Sequence, residues 1–502
     1  MRFDAHQLDV FLLVGSAVTL VAVLAVRVSH RAGLPSLLAY LLLGVLLGAS
    51  GLGVDLADPE IAHALGFGAL VLILAEGGLT TSWRAIRPSM GLGVALATVG
   101  VAISVGIVAF AGHHLLGLPW QVAVLLGAVT SATDAAAVFS VLRALPLPGR
   151  LTGALEAESG LNDAPVVVLV VLVSSGAAQE HGVLAVVALV VFELVAGVLI
   201  GLGVGAAGAW LMRRAALPSS GLYPIAVLCL AVLAYGVAVE VHASGFAAVY
   251  VAALVLGNAE LPHRQATRSF SEGVAWIAQI GLFVMLGLLL DPSRLTWHTV
   301  WLAVLAGLVL TFVARPVSVF VCGLVGRMSW RESAFLSWAG LRGAVPIVFT
   351  TIPLADGVPG SERLFDIVFV LVVVYTLLTG PTLPFVARLL GVARPSQARE
   401  LELEAAPLER IAADLLQITI GPQSQMHGVE VGELRLPRGA SVSIVIRDGE
   451  TLVPERRTVL RHGDDLLVVT PRRQREATEH RLRQVSRNGR LAQWFEATRR
   501  RD

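Results

Sequence analysis

The chain has 502 residues, 56% of them hydrophobic and only 15% charged, which is too little charge to cover the surface of a water-soluble protein of this length. The formal net charge is +1, so nothing in the overall charge favours a nucleic-acid partner. The 37 basic side chains are all arginine, and the two cysteines, Cys229 and Cys322, stand far apart in apolar runs, suggesting neither a disulfide framework nor a zinc site.

The first ten residues, MRFDAHQLDV, have neither the basic start nor the cleavage site of a signal peptide, so the apolar run after them is read as a retained helix. Apolar segments long enough to cross a bilayer then recur along the chain. Thirteen are expected, at about 8–27, 33–51, 61–79, 89–112, 120–143, 154–176, 182–211, 221–241, 244–259, 269–290, 296–324, 331–353 and 364–388. Arginines follow each odd-numbered segment: Arg27 and Arg31, Arg84 and Arg87, Arg143 and Arg150, Arg213 and Arg214, Arg264 and Arg268, Arg327 and Arg331, Arg388 and Arg394. The alternate loops carry Asp, Glu and His instead, with Arg294 and Arg363 as exceptions. By the positive-inside rule the N-terminus is expected outside the inner membrane and the C-terminus in the cytoplasm.

Near residue 395 the composition changes. The stretch 396–410 is charged and reads as a linker, with 396–403 the linker proper and a soluble domain expected over about 404–485. Short β-type runs at 415–420, 441–446 and 466–470 are separated by turn signals at 437–439, 448–449 and 462–465. A helical pattern at about 472–483 follows, so this is expected to be a small α+β domain ending in a charged tail, 486–502.

Ionisable side chains inside apolar spans carry the functional signal, because each costs roughly 2.5–3.5 kcal/mol near the bilayer centre. The fifth span holds TSATDAAAV: Asp134 is preceded by the hydroxyls of Thr130, Ser131 and Thr133. Carboxylate, hydroxyl and carbonyl oxygens are the ligands an alkali cation takes. The sixth span holds ESGLNDAP. Glu158 and Asn162 are four apart, as are Ser159 and Asp163, so each pair shares a helix face one turn apart. Acidic residues favoured at a helix N-terminus would account for Glu156 and Glu158, but not for Asp163, which the apolar run 166–173 follows. The twelfth span holds GLRGAVP, with Arg342 between two glycines and before Pro346. That composition suggests a broken helix, and the lone cation needs an anion, for which Glu158 is the candidate.

Other features are weaker. Gly203-Val-Gly-Ala-Ala-Gly208 matches a dinucleotide fingerprint literally, but lies inside an apolar span with no strand before it, so small-residue helix packing is the better reading. Glu76, Glu193 and Arg315 read as structural pairs or snorkelling side chains. There is no Walker A sequence, no potassium-filter signature of the TVGYG kind, and no cofactor is expected.

Thr133-Asp134, Asn162-Asp163 within ESGLND, and Gly-Leu-Arg-Gly at Arg342 resemble the motifs of the NhaP branch of the cation:proton antiporters over about residues 1–395. The wording TDAAAVFSVLR and the soluble segment are most similar to potassium/proton antiporters of the "cell volume regulation protein A" type, and about 404–485 resembles the RCK C-terminal (TrkA-C) domain. The resemblance implies an all-α membrane protein with an NhaA-like inverted repeat, two crossed, partly unwound helices, and a homodimer. It implies that Asp163 binds cation and proton alternately, that Ser159 and Thr133 help hold the cation with Asp134 close by, and that Asn162 and Arg342 hold Glu158 and the site geometry. Two departures stand out: Ala135 where many relatives have Pro after Thr-Asp, and Ala164 intervening between Asn-Asp and Pro165. The nucleotide-binding half that often accompanies an RCK C-terminal domain is absent, which argues against regulation by NAD through this chain alone.

The expected function is secondary antiport of a monovalent cation, K+ before Na+, against H+, with no enzymatic activity. A one-for-one, electroneutral exchange is expected, since Asn162 does not titrate and Glu158 stays ionised. A Na+/H+ antiporter of the same family is the near alternative; an RCK-regulated cation channel and a solute symporter are the alternatives from other classes. A small-molecule ligand at the C-terminal domain is a further expectation.

Overall fold

The structure is a computed structural model that describes residues 5–32, 36–48, 51, 53, 59–133, 147–177, 182–393, 403–408, 413–421 and 424–489. The chain divides into two units, Met1–Arg394 and Pro395–Asp502.

In the first unit the apolar runs form helices because hydrocarbon offers the backbone no hydrogen-bond partners, so each segment must satisfy its own. In chain order they are α1 Ala5–Ala32, α2 Ser36–Leu47 and α3 Pro59–Thr80, α4 Trp83–His114, α5 Trp120–Ser131 and α6 Gly149–Ser174. Then come α7 Val183–Arg214, α8 Leu222–Glu240, α9 Gly245–Asn258 and α10 Arg264–Leu289. α11 Trp297–Leu324, α12 Trp330–Trp338, α13 Ala344–Ala355 and α14 Ser361–Leu389 complete the unit. Each expected span falls on one of these helices or, for the twelfth, on the pair α12 and α13; residues 134–143 of the expected fifth span lie outside the described residues. Eight helices among the described residues are long and apolar enough to cross a membrane, and shorter apolar helices accompany them. Large apolar side chains such as Leu184, Phe192, Leu199, Phe312, Leu324 and Phe385 are exposed, as lipid-facing side chains must be.

One span breaks in mid-course, and the helix of another stops early among the described residues. α5 stops at Ser131, and Ala132 is already extended (ψ 138°). The twelfth span breaks at residues 339–343, where the two glycines around Arg342 had suggested it. A pattern repeats around these breaks. α4 carries a π-helical turn at Leu96–Gly100 and precedes α5, which stops at Ser131, and then α6; α11 carries one at Leu310–Ala314 and precedes the interrupted α12–α13 and then α14. Each counterpart lies seven crossings further along the chain. An odd offset reverses the direction of travel, so the two copies form an inverted repeat.

The GxGxxG-like stretch of α7 packs as small-residue helix contact. The glycines that matter are spaced by four: a Cβ on Gly197 would lie 2.4 Å from Ser244 O, on Gly201 2.5 Å from Ala248 O, and on Gly205 2.9 Å from Val255 Cβ. A side chain on Gly203 would meet nothing.

The second unit is an antiparallel sheet, in the order β1-β2-β5-β3-β4, with a C-terminal helix. β1 is Leu403–Leu408, β2 Ala413–Thr419, β3 Ser441–Arg447, β4 Glu450–Leu452 and β5 Asp465–Pro471; α15 is Arg475–Asn488. Asp448 and Gly449 both take positive φ in the two-residue β3–β4 turn, which is why this Asp-Gly pair marks a hairpin. No strand was expected at β1, which overlaps the charged stretch 396–410 and, but for Leu403, falls within the expected domain. It pairs with β2 at the sheet edge, where Pro407 is tolerated because its missing N–H takes no partner from a further strand. Buried Leu416, Ile418, Val445, Leu466, Val468, Leu482 and Val485 join sheet and helix. Beneath β3, Arg447 grips both carboxylate oxygens of fully buried Asp464 at 2.8 Å, and the Arg461 N–H donates to the same carboxylate at 2.8 Å.

Candidate functional site

The site assembles where α6 passes the end of α5. α6 bends between Leu161 and Asp163, and the cause is local: Pro165 has no N–H to offer the carbonyl of Leu161, four residues back. Asn162 sits at the bend, with its N–H still bonded to Glu158 O at 2.9 Å. Its side chain donates from Nδ2 to Thr133 Oγ1 at 2.5 Å, and Thr133 Oγ1 lies 3.1 Å from Ser159 Oγ. Thr133, Ser159, Asn162 and Asp163 are all buried, Asp163 at 4% exposure. Asn162 Oδ1 has no hydrogen-bond partner among the described residues, so a buried carbonyl oxygen is left without a partner in this cluster, and Asp163 is the next residue along the chain. Four of the five cation/proton-binding residues expected from sequence, Asp163, Asn162, Thr133 and Ser159, are thus brought together. Asp134, the fifth, lies outside the described residues.

The expected ion pair is different. Glu158 does not take Arg342; it takes Arg315, from the middle of α11. Arg315 Nη2 donates to Glu158 Oε2 at 2.8 Å, and Nη1 bonds Oε1, forming a bidentate pair with both side chains buried. The reason is angular. Glu158 precedes Asp163 by five residues, about 140° around the helix, so its carboxylate diverges from that of Asp163 and reaches the α11 side, although it shares a helix face with Asn162. Gly340 makes room for the pair: a Cβ there would lie 2.7 Å from Arg315 Nε. The sequence had offered Arg315 only as a structural or snorkelling residue. A cation in the middle of a 28-residue apolar helix requires a counter-charge, and that was the signal available.

Arg342 does other work. Its Nη1 donates to Ser131 O at 3.2 Å and Ala132 O at 2.9 Å, carbonyls at the C-terminal end of α5, where the last turn lacks intrahelical partners. A cation there also meets the negative end of the α5 dipole. Thr376 of α14 donates to Arg342 O at 2.6 Å and fixes the unwound segment from the other side. Arg342 therefore holds the end of α5 against the interrupted twelfth span, one residue before Thr133.

Residues 17–389 match the family model of the transmembrane sodium/hydrogen exchangers. The chain belongs to that family. Residues 415–483 match the TrkA-C domain, so a sodium/hydrogen exchanger unit is joined here to a TrkA-C domain. The exchanger is 34% identical over 473 residues to a K+/H+ antiporter NhaP of Alkalimonas amylolytica, covering 92% of this chain and 82% of that protein. It is 33% identical over 506 residues to a K+/H+ antiporter NhaP2 of Shewanella oneidensis, covering 98% and 86%. Its fold matches that of the sodium proton antiporter MjNhaP1 from Methanocaldococcus jannaschii, with a TM-score of 0.66 at 21% identity over 76% of this chain and 99% of that one. It is thus a multi-pass, mostly helical membrane transporter of the cation/proton exchanging kind.

Proposed function

We propose that this exchanger moves K+ against H+, one for one, at a site centred on Asp163, for cation and pH homeostasis. The observation that carries the reading is the buried cluster of Asp163, the orphan Asn162 carbonyl and the Ser159 and Thr133 hydroxyls, beside a helix that stops short. Asp134, next to Thr133 in the chain, is the further carboxylate that the sequence offers to this site. A single carboxylate carries either a cation or a proton, and the neighbouring Glu158 is committed to Arg315. Every pass then moves the same net charge in both directions. The K+ preference follows the K+/H+ antiporters at 33–34% identity; a Na+/H+ antiporter of Aphanothece halophytica is 28% identical over 450 residues, which keeps Na+ as the second reading.

The membrane is the inner membrane, with the N-terminus outside and the TrkA-C domain in the cytoplasm. The two arginines that break the loop pattern are matched by local partners: Arg294 lies 3.6 Å from Glu362 and 3.7 Å from Asp366, and Arg363 bonds His298 at 2.9 Å. The working form is a homodimer, and the domain after residue 404 tunes exchange through a ligand or through dimer contacts. The test is dequenching of a pH-sensitive dye in everted vesicles with K+, Na+ and Li+ added in turn. Dequenching by K+ at the lowest concentration is expected; dequenching by none of the three would end the proposal.

A further inference from the structure

α6 carries a third carboxylate that the exchange site leaves unused. Glu156 precedes Asp163 by seven residues, two helical turns and about 10 Å on a straight helix, with the bend at Leu161–Asp163 between them. The Glu156 side of α6 meets Tyr250 of α9. Glu156 is half-buried and makes no hydrogen bond or ion pair with any described residue. An unpaired carboxylate inside an apolar helix is expensive, and neither the Glu158–Arg315 pair nor the Asn162–Thr133 contact uses it.

Between Glu156 and Asp163 on this face lies Gly160. A Cβ there would come within 2.3–2.5 Å of the Tyr250 ring and hydroxyl, so the aromatic side chain from α9 occupies the space a side chain would take. Tyr250 is 3% exposed. The face of α6 therefore reads, from its Arg150 end inward, as carboxylate, aromatic ring on glycine, then the cation cluster.

We infer that Glu156 is a vestibule carboxylate, gathering the alkali cation on the Arg150 side of the membrane, and that Tyr250 seated on Gly160 is the barrier the cation passes to reach Asp163. A negative charge in a low-dielectric mouth raises the local cation concentration before the binding step. It lowers the concentration needed from that side and leaves the turnover of a loaded site alone. Gly160 is required because the barrier fits only against a residue with no side chain. This inference rests on the exchange reading above.

The test is exchange measured separately from the two faces of sidedness-sorted vesicles, with Glu156→Gln and Glu156→Asp compared with wild type at matched expression and thermal stability. For Glu156→Gln the cation KM on the Arg150 face should rise about threefold or more, with maximal rate within about twofold and KM on the opposite face unchanged. Glu156→Asp, which keeps the charge, should restore most of the KM. Equal KM changes on both faces would make Glu156 part of the binding site itself and overturn the inference, as would no change on either face. Absence of exchange in wild type would instead count against the exchange reading.

Discussion

Arg315 and Glu158 form a bidentate ion pair that joins α11 to α6 inside the membrane unit. Removing one partner of such a pair leaves a buried charge alone, at a cost of about 3–5 kcal/mol. Arg315→Ala and Glu158→Ala should each lower thermal stability strongly, and the double variant should regain much of the loss. Arg342→Ala combined with Glu158→Ala should show losses that add, since Arg342 bonds the carbonyls of Ser131 and Ala132. Thermal unfolding in detergent of the three single and two double variants checks both cycles. Recovery in the Arg342 cycle instead would contradict the pairing.

The small-residue face of α7 makes a steric prediction with a built-in control. Gly201→Ala puts a methyl group 2.5 Å from the Ala248 carbonyl of α9, and overpacking of this kind costs about 1–3 kcal/mol. Gly203→Ala meets nothing and should be neutral. The comparison of the two melting temperatures decides it.

Most of the fold was legible because a membrane helix must be long, apolar and self-bonded, which writes its position directly into composition. The break at Arg342 was legible from Gly340, Gly343 and Pro346. The break after Ser131 was less so, because Ala135 stands where a proline would have signalled it. At the site, Asp163, Asn162 and Ser159 could be placed together from their spacing on one helix, and Thr133 only through its likeness to a known motif. The partner of Glu158 was misassigned because sequence gives no angle between helices, and two buried arginines competed for one carboxylate. β1 was missed because LEAAPL has none of the β-branched residues that mark a strand; it is ordered by pairing with β2, a long-range contact that local composition does not carry.

The soluble unit should be sensitive to acid through Asp464. Burial pushes its carboxyl up, but hydrogen bonds from Arg447 and the Arg461 N–H, with the charges of both arginines, outweigh this and hold it below the ordinary aspartate value. A depressed carboxylate stabilises the fold above the unfolded pKa of about 3.9, and that stability is lost as pH falls through the folded value. Amide hydrogen exchange in β3 and β5 of the full chain, corrected for intrinsic rates, should show protection falling below about pH 4. Asp464→Asn should lose protection at neutral pH and show a flatter acid response. Equal acid sensitivity in both proteins would remove Asp464 from the account.

One-for-one exchange predicts indifference to voltage. A transmembrane potential contributes about 2.3 kcal/mol per net charge per 100 mV, and nothing when the net charge moved is zero. In proteoliposomes clamped by an ionophore for an ion the protein does not carry, stepping the voltage alone should drive no proton movement. Proton flux that follows the imposed voltage would point to a second titrating carboxylate, with Asp134 the first to test.

The central claim is that Asp163 alone alternates between cation and proton. The most direct measurement is K+-driven proton movement in proteoliposomes containing purified wild type or Asp163→Asn at equal density. Removing a charge from the bilayer interior is cheap, so the variant should purify and melt like wild type. It should show no K+-driven proton movement above empty liposomes, while wild type acidifies or alkalinises the lumen according to the direction of the gradient. Proton movement in folded Asp163→Asn at the wild-type rate would contradict the account.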